Sequence, residues 1–460
     1  MLLSKNIHLC IRKIRQKQKQ MKVLKFGGTS VGSPENMRAV MNIIANGEKK
    51  IVVLSAMSGT TNTLVEISGY LKKKNREAAG MLIGQLESGY KKVVNQIYTT
   101  EDNRVNGLQI IKSSFKTIKS FTSGRFTLAG ENTILSMGEM ISTQLFTLLM
   151  KENGHDAKFL PALDFMRIDE EKMADSQYID NHIEPVLEEL GDADYYITQG
   201  YICRNANGEI DNLQRGGSDY TASLIGAAID AEEIQIWTDI DGFHNNDPRF
   251  VENTKKIDHL SFYEAAELAY FGAKILHPQT VYPARVQDIP VRLKNTMNPD
   301  DEGTLITSET TGAGIKAVAA KDGITAVKIR SDRMLMAYGF LKNVFKIFEK
   351  YKTPIDMIST SEVAVSLTID NIDHIKRIRN DLNKFGSVEV QHNMTIICIV
   401  GDIIAEERGF ASKVFDALDD IPIRMISYGG SRYNISVLVP SSHKENTLRA
   451  LSENLLNNED

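Results

Sequence analysis

Four short stretches of the sequence gather residue types that handle anions. In "VLKFGGTSVGSPENM" (Val23–Met37), Lys25 stands just ahead of the paired glycines Gly27 and Gly28. In "LQRGGSDYTAS", Arg215 precedes Gly216 and Gly217, Ser218 is placed to cap a helix, and Asp219 falls in its first turn. "WTDIDGFHNNDPR" ends a strand with Thr238 and Asp239 and runs through a turn-rich loop to Arg249. "AYFGAKILHP" carries Lys274 near the C-terminal end of a helical pattern. A glycine turn feeding a helix N-terminus exposes backbone N–H groups beside a positive dipole end, which favours an anion. A lysine there suits phosphate, and an arginine offers a planar fork to a carboxylate. Each stretch alone also reads as an ordinary turn with a surface cation, and neither glycine stretch matches the P-loop or G-x-G-x-x-G pattern. Together they suggest a site for a nucleotide phosphate and a small anion.

The elements that must position these residues alternate. Val-Leu-Lys-Phe ends a short strand, Ser33 is a good N-cap, Pro34 suits the first helical position, and Met37, Val40, Met41 and Ile44 recur at helical spacing. "KKIVVLSAMSGTTNTLVEI", "DYYITQGYIC" with the hairpin-like "NANGEIDN", and "EIQIWTDIDGF" supply further strands. Strands alternating with helices predict an α/β fold, a parallel or mixed sheet covered on both faces. Glycine turns just after strands lie where such sheets bind ligands. Residues 71–123 are polar, lysine-rich and helical in pattern, a solvated hairpin over the sheet. After the Gly- and Thr-rich "NPDDEGTLITSETTGAG" come two units of β-α-β-β-α order, each opening its first helix with Gly-Phe, the ferredoxin-like arrangement. The second lacks a closing strand, and Ile315–Lys321 is expected to supply it.

Bulk properties exclude some functions. At 460 residues the chain should hold about three domains of roughly 150 residues. Its net charge of −5 and the lack of a basic stripe argue against nucleic acid. Cys10, Cys203 and Cys398 are far apart and odd in number, which argues for a reducing, cytoplasmic setting. No apolar run approaches the roughly 20 residues of a membrane span. The basic segment before Met21 is expected to add nothing to the fold, Met21 being the expected start.

The motifs "KFGGTS", "SMGEMIS", "RGGSDYTA", "WTDIDGFHNNDPR" and "FGAKILHP" resemble, in order, those of the aspartokinases of the amino acid kinase family, and the paired C-terminal units resemble their ACT domains. The resemblance runs from about Lys22 to the C-terminus. It implies a three-layer α/β/α catalytic domain over residues 21–305, a linker at 306–314, and ACT modules at 315–395 and 396–460. It implies transfer of the γ-phosphoryl of ATP to the β-carboxylate of L-aspartate, as a step toward lysine, threonine and methionine. Lys25, Asp219 and Lys274 would be catalytic. Ser55, Thr61, Glu139, Tyr201, Arg215 and Ser218 would hold aspartate, with Glu139 meeting its ammonium. Lys25, Gly27, Gly28, Thr238, Asp239, His244, Arg249, Lys274 and Ile275 would hold ATP, with Mg²⁺ bridging its phosphates and few direct protein ligands. His244 replaces a common tyrosine and Gln214 a common glycine, which leaves the nucleotide stacking and the Arg215 loop open. A homodimer through the ACT modules is expected, with no nucleic-acid or membrane partner. Feedback by lysine, or by threonine, would act through Met334, Ala337, Gly339, Phe340, Leu341, Asp356, Thr360 and Ser361. A glutamate or nucleotide kinase of the same family, and a catalytically dead sensor, are the rivals. The paired modules and Glu139 speak against the first, and the full set of charged residues speaks against the second.

Overall fold

The computed structural model describes residues 21–213, 216–272, 276–310, 312, 314–331, 338–402 and 408–456. The chain does not divide at a single point. One compact unit comprises the residues up to Gly242 together with Leu276–Ser308, and the other comprises Phe243–Ile275 together with the residues from Glu309 onward. The segment 243–275 thus groups by its contacts with the C-terminal residues.

The first unit is built on a sheet whose strands lie in the order Ala157–Leu160, Tyr195–Gln199, Lys50–Leu54, Lys22–Phe26, Ile234–Thr238, Val291–Asn295 and Thr304–Thr307. All neighbours are parallel except the last, which runs antiparallel to Val291–Asn295. The strands Lys50–Leu54 and Tyr195–Gln199 are buried throughout, which is why they read as continuous apolar runs rather than alternations. Ser33 caps the helix Pro34–Ile44, accepting from the Asn36 N–H at 3.2 Å, and the helix buries Met37, Val40, Met41 and Ile44. Residues 60–120 form three helices, Thr60–Lys72, Arg76–Ile97 and Glu101–Ser120, whose apolar stripes pack into the main core.

The 25-residue helix Leu128–Glu152 lies within that core. By length and composition it is long and apolar enough to cross a membrane, although most of it is buried inside the protein. The sequence conceals this because Glu131 and Glu139 interrupt the apolar run. Burial of Ile134, Ile141, Leu145, Phe146 and Leu149 stabilises it by about 1.5–3 kcal/mol per side chain. Gly138 sets its closest approach to the sheet: a Cβ there would stand 2.7 Å from the Ala56 methyl carbon. Gly138→Ala would force helix and loop apart just where Glu139 follows.

The second unit contains the helix Phe262–Phe271, held at its start by a capping box between Ser261 and Glu264. Its six-stranded sheet has the order Ile358–Thr360, Ala364–Ile369, Gly314–Arg330, Ser387–Asp402, Asn434–Pro440, Met425–Ser427. The two long central strands pair antiparallel, interrupted by irregularities around Lys321–Ala326. The half at 324–330 pairs with 387–394, and the half at 315–321 pairs with 396–401. Two cores result. One gathers Val344, Ile347 and Phe348 with Val365, Leu367 and Ile378. The other gathers Val318, Ile397 and Ile399 with Phe410, Val414, Ile435 and Leu448.

Candidate active site

Three strand ends and two helices converge on a cleft of about 470 Å³ in the first unit. The turn after Lys22–Phe26 contributes Gly28 and Thr29, and the loop after Lys50–Leu54 contributes Ser55, Ala56, Met57, Ser58, Gly59 and Thr61. Tyr201 follows the strand Tyr195–Gln199, Gly217 and Ser218 open the helix Gly217–Ala228, and Glu139 comes from the long helix. The position agrees with the rule that open α/β sheets bind ligands at the carboxyl ends of their strands.

Gly28 is required by close approach. A Cβ would stand 2.9 Å from the Ala56 carbonyl oxygen, and the Gly28 carbonyl accepts from the Ser58 N–H at 3.1 Å. The two loops are thereby locked side by side. Lys25 points its ammonium to Asp219, with Nζ 2.6 Å from Oδ1 and both side chains largely buried. The lysine and the aspartate of two separate glycine motifs thus form one ion pair. Nζ also lies beside Gly27, 3.6 Å from where a Cβ would be.

Ser218 does not cap its helix. The N-cap is Gly216, at φ 70°, where a side chain would also meet Thr280. With the cap two residues earlier, Ser218 lies inside the helix, and its Oγ accepts a hydrogen bond from the Ser55 hydroxyl at 2.9 Å. Tyr201 holds a left-handed backbone at φ 70°, uncommon for an aromatic residue, while its N–H donates to Thr221 Oγ1 at 3.0 Å. Burial first, and then the nearby Glu139 charge, push its phenol up to about 12.

Glu139 is the most unusual group. It is 4% exposed, its Oε1 accepts from the Ala56 N–H at 3.2 Å, and its Oε2 has no partner among the described residues. Burial raises its carboxyl from 4.5 to about 7, against the opposing pull of backbone hydrogen bonds. A buried carboxylate with one bare oxygen on a cleft is poised to receive a cation.

Thr238 and Asp239 close the strand Ile234–Thr238, with the Thr238 hydroxyl donating to Asp239 at 3.1 Å. His244 and Arg249 belong to the second unit. His244 Nδ1 lies 3.0 Å from Thr254 Oγ1, and the Arg249 guanidinium is engaged by Asp247 through contacts of 2.6–3.2 Å. Arg215, Lys274 and Ile275 lie outside the described residues, as do Met334 and Ala337. Ser58 and Gly59 line the cleft without having been singled out; the polar "SGTT" after a buried strand was their signal.

In the second unit, Gly339 caps the helix Phe340–Lys350 at φ 82°, with Phe340 buried and Leu341 37% exposed. Thr360 ends an exposed strand, and Ser361 turns back to Ala364. Asp356, assigned by resemblance to the effector's ammonium, is already engaged within the fold. It precedes the strand Ile358–Thr360, its side chain is 1% exposed, and its Oδ1 accepts from Tyr270 Oη at 2.7 Å and from Lys321 Nζ at 2.6 Å.

Residues 20–295 match the amino acid kinase family, and residues 397–455 match an ACT domain. Lysine-sensitive aspartokinase 3 of Escherichia coli is 32% identical over 94% of this chain and 98% of its own length. Two crystal structures of E. coli aspartokinase III, one with aspartate and ADP and one with lysine and aspartate, each align at TM-score 0.79 and 31% identity. Both alignments cover 95% of this chain, with 100% of the first and 99% of the second. On the matched family, the near-full-length identity and the shared fold, this chain belongs to the aspartokinases of the amino acid kinase family.

Proposed function

We propose that the cleft holds L-aspartate for phosphorylation at its β-carboxylate, with Glu139 receiving the substrate ammonium. As an aspartokinase the chain is an ATP-dependent phosphotransferase with a carboxylate acceptor. A carboxylate is already ionised at neutral pH, so the reaction needs no general base. One β-carboxylate oxygen forms a bond to the γ-phosphorus, the bridging oxygen leaves with its electron pair on ADP, and an acyl phosphate results. Two anions must be brought together and the charge in transit stabilised.

Lys25 supplies that charge, and Asp219 holds its ammonium at a fixed place beside the glycine turn. The N–H groups at Gly27 and Gly28 would face the transferring phosphoryl group. Ser55, Ser218, Thr61 and Tyr201 would surround the aspartate, Arg215 would pair with its carboxylate, and Lys274 would approach from the nucleotide side. Thr238, Asp239, His244, Arg249 and Ile275 are assigned to ATP. Among the described residues no cluster of three potential ligands could hold a metal ion. Mg²⁺ would sit on the phosphates, where it would neutralise charge.

The observation that carries this reading is the buried, half-satisfied Glu139 in the same cleft as the Ser55–Ser218 pair. The test is a coupled assay with MgATP and aspartate in which hydroxylamine traps the acyl phosphate. Hydroxamate formed with aspartate, and not with glutamate or a nucleoside monophosphate, supports the assignment. ADP release without hydroxamate sinks it.

For regulation, the reading is feedback by lysine at the first ACT module, in a homodimer built through these modules. The support is the resemblance of the effector segments and the lysine complex of the E. coli relative. Inhibition requires lysine to bind an inactive arrangement more tightly than the active one. A reducing, cytoplasmic setting is consistent with the free, buried Cys203 and Cys398.

A further inference from the structure

A second cleft, of about 500 Å³, opens among the ends of the helices in the first unit. Its lining is Leu71, Lys72, Lys74, Arg76, Phe121, Gly124, Arg125 and Phe126, four cations and no acid. One wall is the turn between Thr60–Lys72 and Arg76–Ile97. Lys74 takes a left-handed backbone there (φ 59°), and its N–H donates to the Leu71 carbonyl at 3.0 Å. The facing wall is the turn between Glu101–Ser120 and Leu128–Glu152, where Phe121 and Phe126 meet edge to face at 6.3 Å. Arg76 pins the two walls by donating to the Gly124 carbonyl at 3.0 Å.

The charges in this cleft are only partly answered. Lys72 pairs with Glu131 at 2.7 Å. The side chains of Lys74 and Arg125 make no ion pair or hydrogen bond among the described residues. Like charges converging on one concavity repel one another, and the positive end of the 22-residue helix Arg76–Ile97 adds to the same field. An exposed lysine on a convex helix face needs no counter-ion. Three cations around a shared concavity, none of them offset within it, favour an anion. The half-buried rings of Phe121 and Phe126 add an apolar wall suited to a flat group, and the volume is that of a small-molecule site.

We propose that this cleft is a second ligand site, separate from the Glu139 cleft, for a small phosphorylated compound with an aromatic ring, of the nucleoside phosphate class. The phosphates lie between Lys74, Arg76 and Arg125, and the ring rests against Phe126. Phosphate contacts to exposed cations are screened by salt, so affinity falls as ionic strength rises.

The experiment is equilibrium dialysis of the full chain with labelled ADP, comparing wild type with Lys74→Ala/Arg125→Ala. Two ADP per chain in wild type and one in the double variant are expected, with kcat and the KM for ATP unchanged within twofold. The site left in the variant is then the one that supports turnover, so a failure of the kinase assignment would show separately, as missing activity. One ADP per chain in wild type, or two in both proteins, overturns the proposal. Phe126→Leu should weaken ADP at this site at least fivefold and leave inorganic tripolyphosphate unaffected. An equal loss for both probes overturns the role given to the ring.

Discussion

Glu139 and Asp356 are both buried acids, each with one oxygen engaged and one bare, yet their surroundings differ. Glu139 faces a cleft and, among the described residues, is bonded through its carboxylate to one backbone N–H. Asp356 already holds the Lys321 ammonium and the Tyr270 hydroxyl, and Lys321 reaches Asp370 as well, at 3.0 Å. The first has no cationic partner among the described residues, which is why it is the proposed receptor for the substrate ammonium. The second has an internal cation, and its bond to Tyr270 ties the chain ahead of the strand Ile358–Thr360 to the helix Phe262–Phe271. An amino-acid effector that uses Asp356 must compete with Lys321. Burial of an acid therefore does not by itself mark a binding site.

The comparison breaks most sharply if the Glu139 cleft is not where chemistry occurs. Lys25→Ala removes the cation between the two anions and should lower kcat by roughly a hundredfold or more, the scale for losing one electrostatic stabiliser. The KM for aspartate should change much less, because Glu139 is untouched. Steady-state kinetics in both substrates decides this, and a near-normal kcat would move the reacting centre elsewhere.

Glu139→Gln tests the receptor itself. The amide oxygen can still accept from Ala56, but the charge is gone, and the KM for aspartate should rise roughly 10- to 100-fold with the KM for ATP little changed. In the wild type, kcat/KM for aspartate should climb with pH through about 7 as Glu139 ionises, and the variant should lose that limb. Stability moves the other way. The folded chain keeps the Glu139 proton to about pH 7, whereas the unfolded chain sheds it near 4.5. The folded state thus binds more protons across that window, and stability falls as pH rises from 4.5 to 7. The full penalty, on the order of 3 kcal/mol, stands above pH 7. Glu139→Gln should therefore be the less active and the more stable protein at pH 8, with no gain at pH 4. Denaturant melts at both pH values measure this.

These contrasts were unevenly legible in the sequence. The glycine turns, the strand ends and the capping Ser33 follow local rules, so both loops of the cleft and the alternating α/β order could be read directly. Periodicity predicted the two ferredoxin-like units because each repeats one helix and strand pattern. The Lys25–Asp219 pair could not be read, since 194 residues separate its members and no local rule links two glycine motifs. Glu139 lies inside an apolar helix where spacing marks only a buried face, and resemblance alone singled it out. The engagement of Asp356 is hidden for the same physical reason. Its partners Lys321 and Tyr270 come from distant segments, so an acid that looks free in sequence is neutralised in the fold. The grouping of 243–275 with the C-terminal unit is likewise a matter of tertiary contacts.

Asp356→Asn should dismantle the internally paired site. Lys321 keeps Asp370, which is partly exposed, so the loss should be about 2 kcal/mol, below the 3–5 kcal/mol typical when a buried pair loses one partner outright. If lysine binds here, the variant should also lose inhibition by lysine while keeping its basal kcat. Retained inhibition with lowered stability would make Asp356 a strut and place the effector elsewhere.

Tyr270→Phe is the finest test, because it removes one hydroxyl and leaves the Lys321–Asp356 pair in place. The phenol is held well above its usual range, first by burial and then by its bond to Asp356, so it stays protonated and acts only as a donor. Lys321 also lies over the Tyr270 ring, 4.4 Å from its centroid, and that contact survives the substitution. The stability change should therefore be about 1 kcal/mol or less, the net worth of one hydrogen bond. Tyr270 lies four residues before Lys274, so the same bond links the proposed effector acid to the segment that carries a proposed catalytic lysine. If that link transmits feedback, the lysine concentration for half inhibition should shift severalfold with basal kcat unchanged within twofold. A coupling of that size corresponds to about 1 kcal/mol between the sites. An inhibition curve superimposable on wild type, together with the expected small loss of stability, would reduce the bond to a structural contact and leave Lys321 as the only competitor for the effector.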